Sequence, residues 1–149
     1  MANRILPDTC AWIDFFKASP SRLAEKVEAA LVQGEIACCG VVLYELIQGI
    51  KSPGEETLVL NAFQAVPHLE MTASLWIKAG RLSSQLRKKG QTLPFSDIVI
   101  ATLALEHNCA VLTVDRHFDA IPGLTVIKES GTVSDVITAK LIDSGGENG

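Results

Sequence analysis

With 149 residues, 13 basic against 17 acidic side chains (formal net charge −4), 48% hydrophobic and 5% aromatic residues, the chain can bury roughly 68–70% of its unfolded surface in one core. That excludes a disordered chain, a collagen-like repeat and a small disulfide-stapled secreted module. A pI near 5.3 argues against holding nucleic acid mainly by bulk charge, since each neutralised phosphate needs a Lys or Arg, but leaves room for phosphate chemistry through a metal.

Short apolar runs alternate with longer amphipathic stretches, the βαβα pattern of a parallel sheet wrapped by helices. Arg4 to Pro7 reads as a first strand ending at Asp8, followed by a helix from Thr9 to Phe16. Ser19 and Pro20 are expected to open a second helix, Ser21 to Gln33, which Gly34 stops; Glu35 to Cys39 is then a second strand. Val41 to Gly49 reads as a helix, and so does Glu55 to Gln64 after the Ser52-Pro53-Gly54 turn. A third strand, Ala65 to Leu69, leads into a helix capped by Thr72 and stopped by Gly90. After the loop 91–94, Ser96 is expected to cap a helix from Asp97 to His107, with Asn108 in the left-handed position that ends it. Cys109 to Val114 is an apolar, β-branched strand ending at Asp115. A helical turn from Arg116 to Ile121, a Pro122-Gly123 turn and an edge strand from Leu124 to Ile127 follow. No repeat or linker divides the chain, so 1–149 is expected to form one domain with its core in about 4–127 and a frayed tail over 143–149.

No apolar run approaches the ~18 residues of a bilayer span, and Pro7, Asp8 and Asp14 interrupt the N-terminal stretch; a soluble, cytoplasmic protein without a signal peptide is expected. Cys10, Cys38, Cys39 and Cys109 form no C-x-x-C pair and read as small buried hydrophobes in a reducing compartment. His107, Cys109 and His117 lack metal-ligand spacing.

Most of the acids, among them Glu25, Glu28, Glu55, Glu56 and Glu70, fall where a helix or loop faces water. Four do not. Asp8 and Asp115 end strands, and in open α/β sheets sites form at the carboxyl ends of strands. Asp97 opens a helix that continues Ile98-Val99-Ile100-Ala101, and Glu45 sits within the apolar stretch 41–47, a poor place for an unpaired charge. Singly, each has a structural alternative as a helix cap or as the partner of a buried Arg. Together, four carboxylates in one cleft repel one another unless a cation sits among them, and Mg²⁺ or Mn²⁺ takes oxygen ligands of this kind.

Asp8-Thr9-Cys10-Ala11-Trp12-Ile13-Asp14 resembles the opening motif of PIN-domain ribonucleases, in particular the VapC-type toxins of bacterial and archaeal toxin–antitoxin pairs. Residues 44–49, 97–102 and 112–118 resemble their second, third and fourth acidic motifs, in the same order and spacing across about residues 4–127. The resemblance implies a three-layer α/β/α PIN-like fold with a central, mainly parallel sheet. It implies an acidic site of Asp8, Glu45, Asp97 and Asp115 holding Mg²⁺ or Mn²⁺, assisted by Thr9 and Thr113. Pro7 stands where the family tends to carry an aliphatic residue, and without an N–H it should remove one ladder bond.

Arg116 and His117 are placed to touch a phosphate, though His117 reads equally as an exposed turn residue. Asp119, four residues past Asp115, is a candidate for the rim of the site, whereas Asp14 faces elsewhere. Arg81, Arg87, Lys88 and Lys89 gather at a helix end, where they complement the helix dipole or contact RNA. Trp12 and Trp76 read as core or dimer residues rather than base-stacking platforms. The function expected is a metal-dependent endoribonuclease that leaves a 5′-phosphate and a 3′-OH. Its expected partners are RNA, a second copy of the chain and a cognate antitoxin lying in a groove anchored by Trp12, Phe15, Phe16 and Phe63. The alternatives are a PIN-like fold used only for binding RNA or protein, and another Mg²⁺-dependent phosphohydrolase. The haloacid dehalogenase type lacks its D-x-D pair here, because Cys10 takes the second position, and no P-loop is present.

Overall fold

The computed structural model describes residues 3–17 and 21–129. In chain order the elements are β1 (Arg4–Pro7), α1 (Thr9–Phe16), α2 (Arg22–Gln33), β2 (Cys38–Cys39), α3 (Gly40–Gln48), α4 (Pro53–Gln64), β3 (His68–Leu69), α5 (Ala73–Lys88), α6 (Phe95–His107), β4 (Cys109–Thr113), a 3₁₀ turn (Arg116–Ala120) and β5 (Val126–Lys128). Two parallel ladders, β1-β4-β5 and β2-β3, make up the sheet. The segment before β2 joins them: Ile5 N–H donates to Glu35 O and Ala37 N–H to Ile5 O, both at 2.9 Å, around an isolated bridge between Ile5 and Ile36. The strand order is therefore β3-β2-β1-β4-β5, all parallel, within α/β/α layers.

Pro7 explains why the seam is so short. The next donor from β1 toward β2 would be the N–H of residue 7, which proline lacks. On the β4 side nothing is lost, because Asp8 N–H donates to Leu112 O at 2.9 Å. The tight β1–β4 pairing thus reaches the first carboxylate of the site.

Local chemistry sets most element ends. Ser21 Oγ accepts from Ala24 N–H, Ser52 Oγ from Glu55 N–H and Thr72 Oγ1 from Leu75 N–H, each satisfying a donor at a helix start. Gly34 and Asn108 take the left-handed conformation at the ends of α2 and α6. Several expectations need correction. The cap of α2 is Ser21, while Ser19 and Pro20 lie outside the described residues, as does the tail 143–149. Ser96 does not cap α6: the helix starts one residue earlier, at Phe95, after Pro94, with no side-chain cap bond. The strands expected at 35–39 and 65–69 are reduced to two residues each, and the last strand is shifted to Val126–Lys128.

α6 is buried over every residue from Asp97 to Ala104 and packs along β4. A helix apolar on all sides belongs in the interior, and this one carries an acid at its buried start. α1 contributes Trp12, fully buried, with its ring 4.6 Å from that of buried Phe63 on α4 and stacked on Phe16. Trp12 and Phe63 are thus core residues, which corrects their expected role as anchors for a partner. Trp76 differs: it is about half exposed and stacks on exposed Phe95 with only 7° between the ring planes.

Candidate active site at the β1–β4 crevice

The connection from β1 through α1 and α2 moves the chain to β2 and then β3, whereas β4 lies on the other side of β1. Where the order reverses, the carboxyl ends of β1 and β4 leave a crevice, and the acids gather there. Asp8, the residue after β1, caps α1: its Oδ1 accepts from Thr9 N–H at 2.7 Å. Its Oδ2 accepts from the fully buried Thr113 hydroxyl at the end of β4, at 3.0 Å. Thr113 Oγ1 in turn accepts from Asp115 N–H at 2.9 Å, so one hydroxyl sets two of the acids. On the α1 side, Thr9 Oγ1 donates to Glu45 Oε1 of α3 at 2.9 Å.

Asp97 enters from the first turn of α6 and is 6% exposed, as little as the apolar residues beside it. Its partner is His117: Nδ1 lies 2.9 Å from Asp97 Oδ2 and 3.1 Å from Asp115 Oδ1. The ring is carried there because Asp115 caps the 3₁₀ turn, Oδ1 accepting from His117 N–H at 2.9 Å, while neighbouring Phe118 is fully buried. His117 is therefore neither a free turn residue nor remote from the acids, as its spacing had suggested. An Asp followed two residues later by His is the signal that identifies it, since an Asp cap holds the N–H of the second residue onward beside its own carboxylate.

All four expected acids and both threonines thus belong to one linked set running Glu45, Thr9, Asp8, Thr113, Asp115, His117, Asp97. Arg116 is exposed beside it. Asp119 is not part of the rim cluster, because Lys128 pairs with it. Cys10, unexpected here, places its sulfur 3.7 Å from both Asp8 Oδ2 and Thr113 Oγ1. Arg81, Arg87, Lys88 and Lys89 are exposed, the last three at the carbonyl end of α5.

Burial pushes the carboxyl groups of Asp8 and Asp97 above the ordinary value of 3.8. Donors from Thr9, Thr113 and His117 offset part of that rise, and the negative charge of Asp115 adds to it in both cases. The hydrogen bond to Asp97 raises the imidazole of His117 above 6.5. Desolvated carboxylates facing one another are an unrelieved negative field, and a divalent cation among them removes the penalty. Carboxylate and imidazole donors of Asp97, Asp115 and His117 lie within 4.8 Å of one another, so this donor set fits such an ion, with Asp8 adjoining through Thr113.

A parallel sheet with this order, carrying acids at its switch point, defines the nuclease-like class of α/β/α folds. The profile of the PIN domain family matches residues 5–124, and the chain belongs to that family. It is 28% identical over 125 residues to ribonuclease VapC11 of Mycobacterium tuberculosis, covering 81% of this chain and 93% of that protein. Among solved structures, the DNA-bound VapBC complex from Salmonella typhimurium contains a chain that superposes with a TM-score of 0.73 at 25% identity, covering 84% of this chain and 97% of that one. The fold also matches VapBC2 from Rickettsia felis, with a TM-score of 0.72 at 20% identity over 83% of this chain and 97% of that chain.

Proposed function

We propose that the chain is a metal-dependent endoribonuclease, the toxin of a toxin–antitoxin pair. The observation that carries this reading is the convergence of Asp8, Asp97 and Asp115 on one crevice of a PIN domain, with Glu45 tied to the same set through Thr9; relatives named as VapC ribonucleases support it.

Asp8, Asp97 and Asp115 would hold Mg²⁺ or Mn²⁺, which when bound lowers the pKa of water and neutralises charge on the phosphate. The chain's own groups supply orientation. Thr113 holds Asp8 and Asp115 in register, and Thr9 fixes one oxygen of Glu45, leaving the other to orient the attacking water and accept its proton. Exposed Arg116 is placed to meet a phosphate from outside. Attack by water breaks the bond to the 3′-oxygen, which takes a proton from solvent, leaving a 5′-phosphate and a 3′-OH. No residue of the set reads a base, so specificity comes from RNA shape and unpaired bases held nearby.

Antitoxin control fits an apolar groove of about 350 Å³ between α1, α3 and α4, walled by Ile13, Phe16, Ile50, Leu58 and Val59 and ending at Glu45. A partner segment lying there can extend a guanidinium to the carboxylates. A homodimer in the cytoplasm completes the reading, and exposed Tyr44, Trp76, Ile77 and Phe95 supply apolar surface for it.

Purified protein free of partner should cleave total RNA with Mg²⁺ or Mn²⁺ and lose that activity in EDTA. Full cleavage in chelator overturns the role of the metal. Absence of cleavage under all conditions, with RNA still bound, favours a binding module. An antitoxin should co-purify from the native operon and suppress cleavage.

A further inference from the structure

We propose that His117 is a nitrogen ligand of the active-site ion, so that this chain holds its metal through a mixed carboxylate–imidazole set and discriminates Mn²⁺ from Mg²⁺. The inference rests on the metal-dependent reading above and adds the ligand that decides which ion is preferred.

The geometry is that of a coordination shell. His117 Nδ1 lies 2.9 Å from Asp97 Oδ2 and 3.1 Å from Asp115 Oδ1. Neighbouring ligands on an octahedral ion with bonds of about 2.1 Å stand about 3.0 Å apart. A purely structural hydrogen bond accounts for less of this, because Nδ1 carries at most one hydrogen and faces two carboxylate oxygens. The ring is also built in from behind. Its own N–H is held by Asp115, Asp115 N–H by Thr113, and Phe118 anchors the turn in the core. The side chain is 49% exposed, so it fills no core space that would otherwise require it. Ligand type then determines selectivity. Mg²⁺ keeps oxygen ligands and water, whereas an imidazole nitrogen favours first-row divalent ions, of which Mn²⁺ shares the oxygen chemistry of the remaining donors.

The full chain, stripped of metal, is titrated with Mn²⁺ and Mg²⁺ by calorimetry, and the Mn²⁺ complex is examined by pulsed electron paramagnetic resonance. The unmodified protein should show nitrogen coupling to Mn²⁺ that changes on labelling histidine with ¹⁵N. His117→Ala should lose that coupling and weaken Mn²⁺ binding about tenfold or more, while Mg²⁺ binding shifts less than about threefold. Mn²⁺ bound without nitrogen coupling, or bound as tightly or more tightly by His117→Ala, overturns the inference and makes the ring a cap that the ion displaces. The spectrum of the unmodified chain decides this even if the variant folds poorly. Failure of either ion to bind defeats the metal-dependent reading itself, a different result from oxygen-only binding.

Discussion

The two halves of the sheet present strand ends at the same edge and put them to different use. β2 and β3 end in buried Cys39 and Leu69, and α3 starts on the next residue, Gly40, closing that end with apolar side chains such as Val41, Val99 and Leu103. β1 and β4 end in Asp8 and, past Thr113, Asp115. Each half buries titratable groups, but with opposite consequences. Cys38 lies 3.1 Å from His68 Nδ1 across the β2–β3 ladder, and burial pushes its thiol up to about 12, so it stays neutral and inert. Burial raises Asp8 and Asp97 as well, yet these carboxylates border an opening where a cation can relieve them. Parallel strands align carboxyl ends everywhere; only the switch in strand order leaves a crevice in which the chemistry is reachable.

The sharpest way to break this comparison is to remove the charge that it concerns. Asp97→Asn or Asp8→Asn should lower RNA cleavage about 10²-fold or more, while the metal-free melting temperature is unchanged or higher, because one of several crowded charges is gone. Glu25→Gln, on the exposed face of α2, serves as control. If the site variants unfold, or the control loses as much activity, the acids are structural.

Thr113→Val keeps the shape and deletes the hydroxyl that serves both Asp8 and Asp115. We expect about tenfold slower cleavage and a loss of about 1–3 kcal/mol in denaturant unfolding, from polar groups left unpaired. An unaltered rate would show that the threonine does not position the acids.

Metal-free protein should become less stable as pH rises through the acidic range. For Asp8 and Asp97 the folded carboxyl group sits above its ordinary 3.8, so between that value and the raised one the folded state binds more protons, and stability falls with increasing pH. His117 acts in the same direction at higher pH: held above 6.5 by Asp97, it contributes stability below 6.5 that fades as pH passes its raised value. Unfolding midpoints across a pH series should slope downward, with a flatter slope in an Asp8→Asn, Asp97→Asn double variant. An equal slope in the two proteins would place the dependence elsewhere.

The smallest effect belongs to the other half of the sheet. Native protein treated with iodoacetamide at pH 8 should leave Cys38 unmodified by mass spectrometry, and Cys38→Ser should cleave RNA at nearly the unmodified rate. Rapid labelling of Cys38 would show that the β2–β3 end opens as readily as the acidic crevice.

The chain order of elements, the caps Ser52 and Thr72, the left-handed Asn108 and the four acids were legible from residue types, because these features depend on nearest neighbours: a hydroxyl at a helix start, a turn residue at its end, a carboxylate where an apolar run stops. The missing β1 donor at Pro7 was equally local, but which neighbouring strand it would affect was not. Trp12 and Phe63 read from sequence as anchors for a partner, and only the packing of α1 on α4 made them core. His117 is the clearest case. Its place beside Asp115 follows from a local cap, whereas its 2.9 Å contact with Asp97 requires α6 and the turn after β4 to meet. Sequence determined which charges lie at strand ends and helix starts, since that is a matter of local backbone geometry. Tertiary structure alone decided which of them share a desolvated crevice, because that depends on strand order and on segments about twenty to a hundred residues apart folding to the same edge.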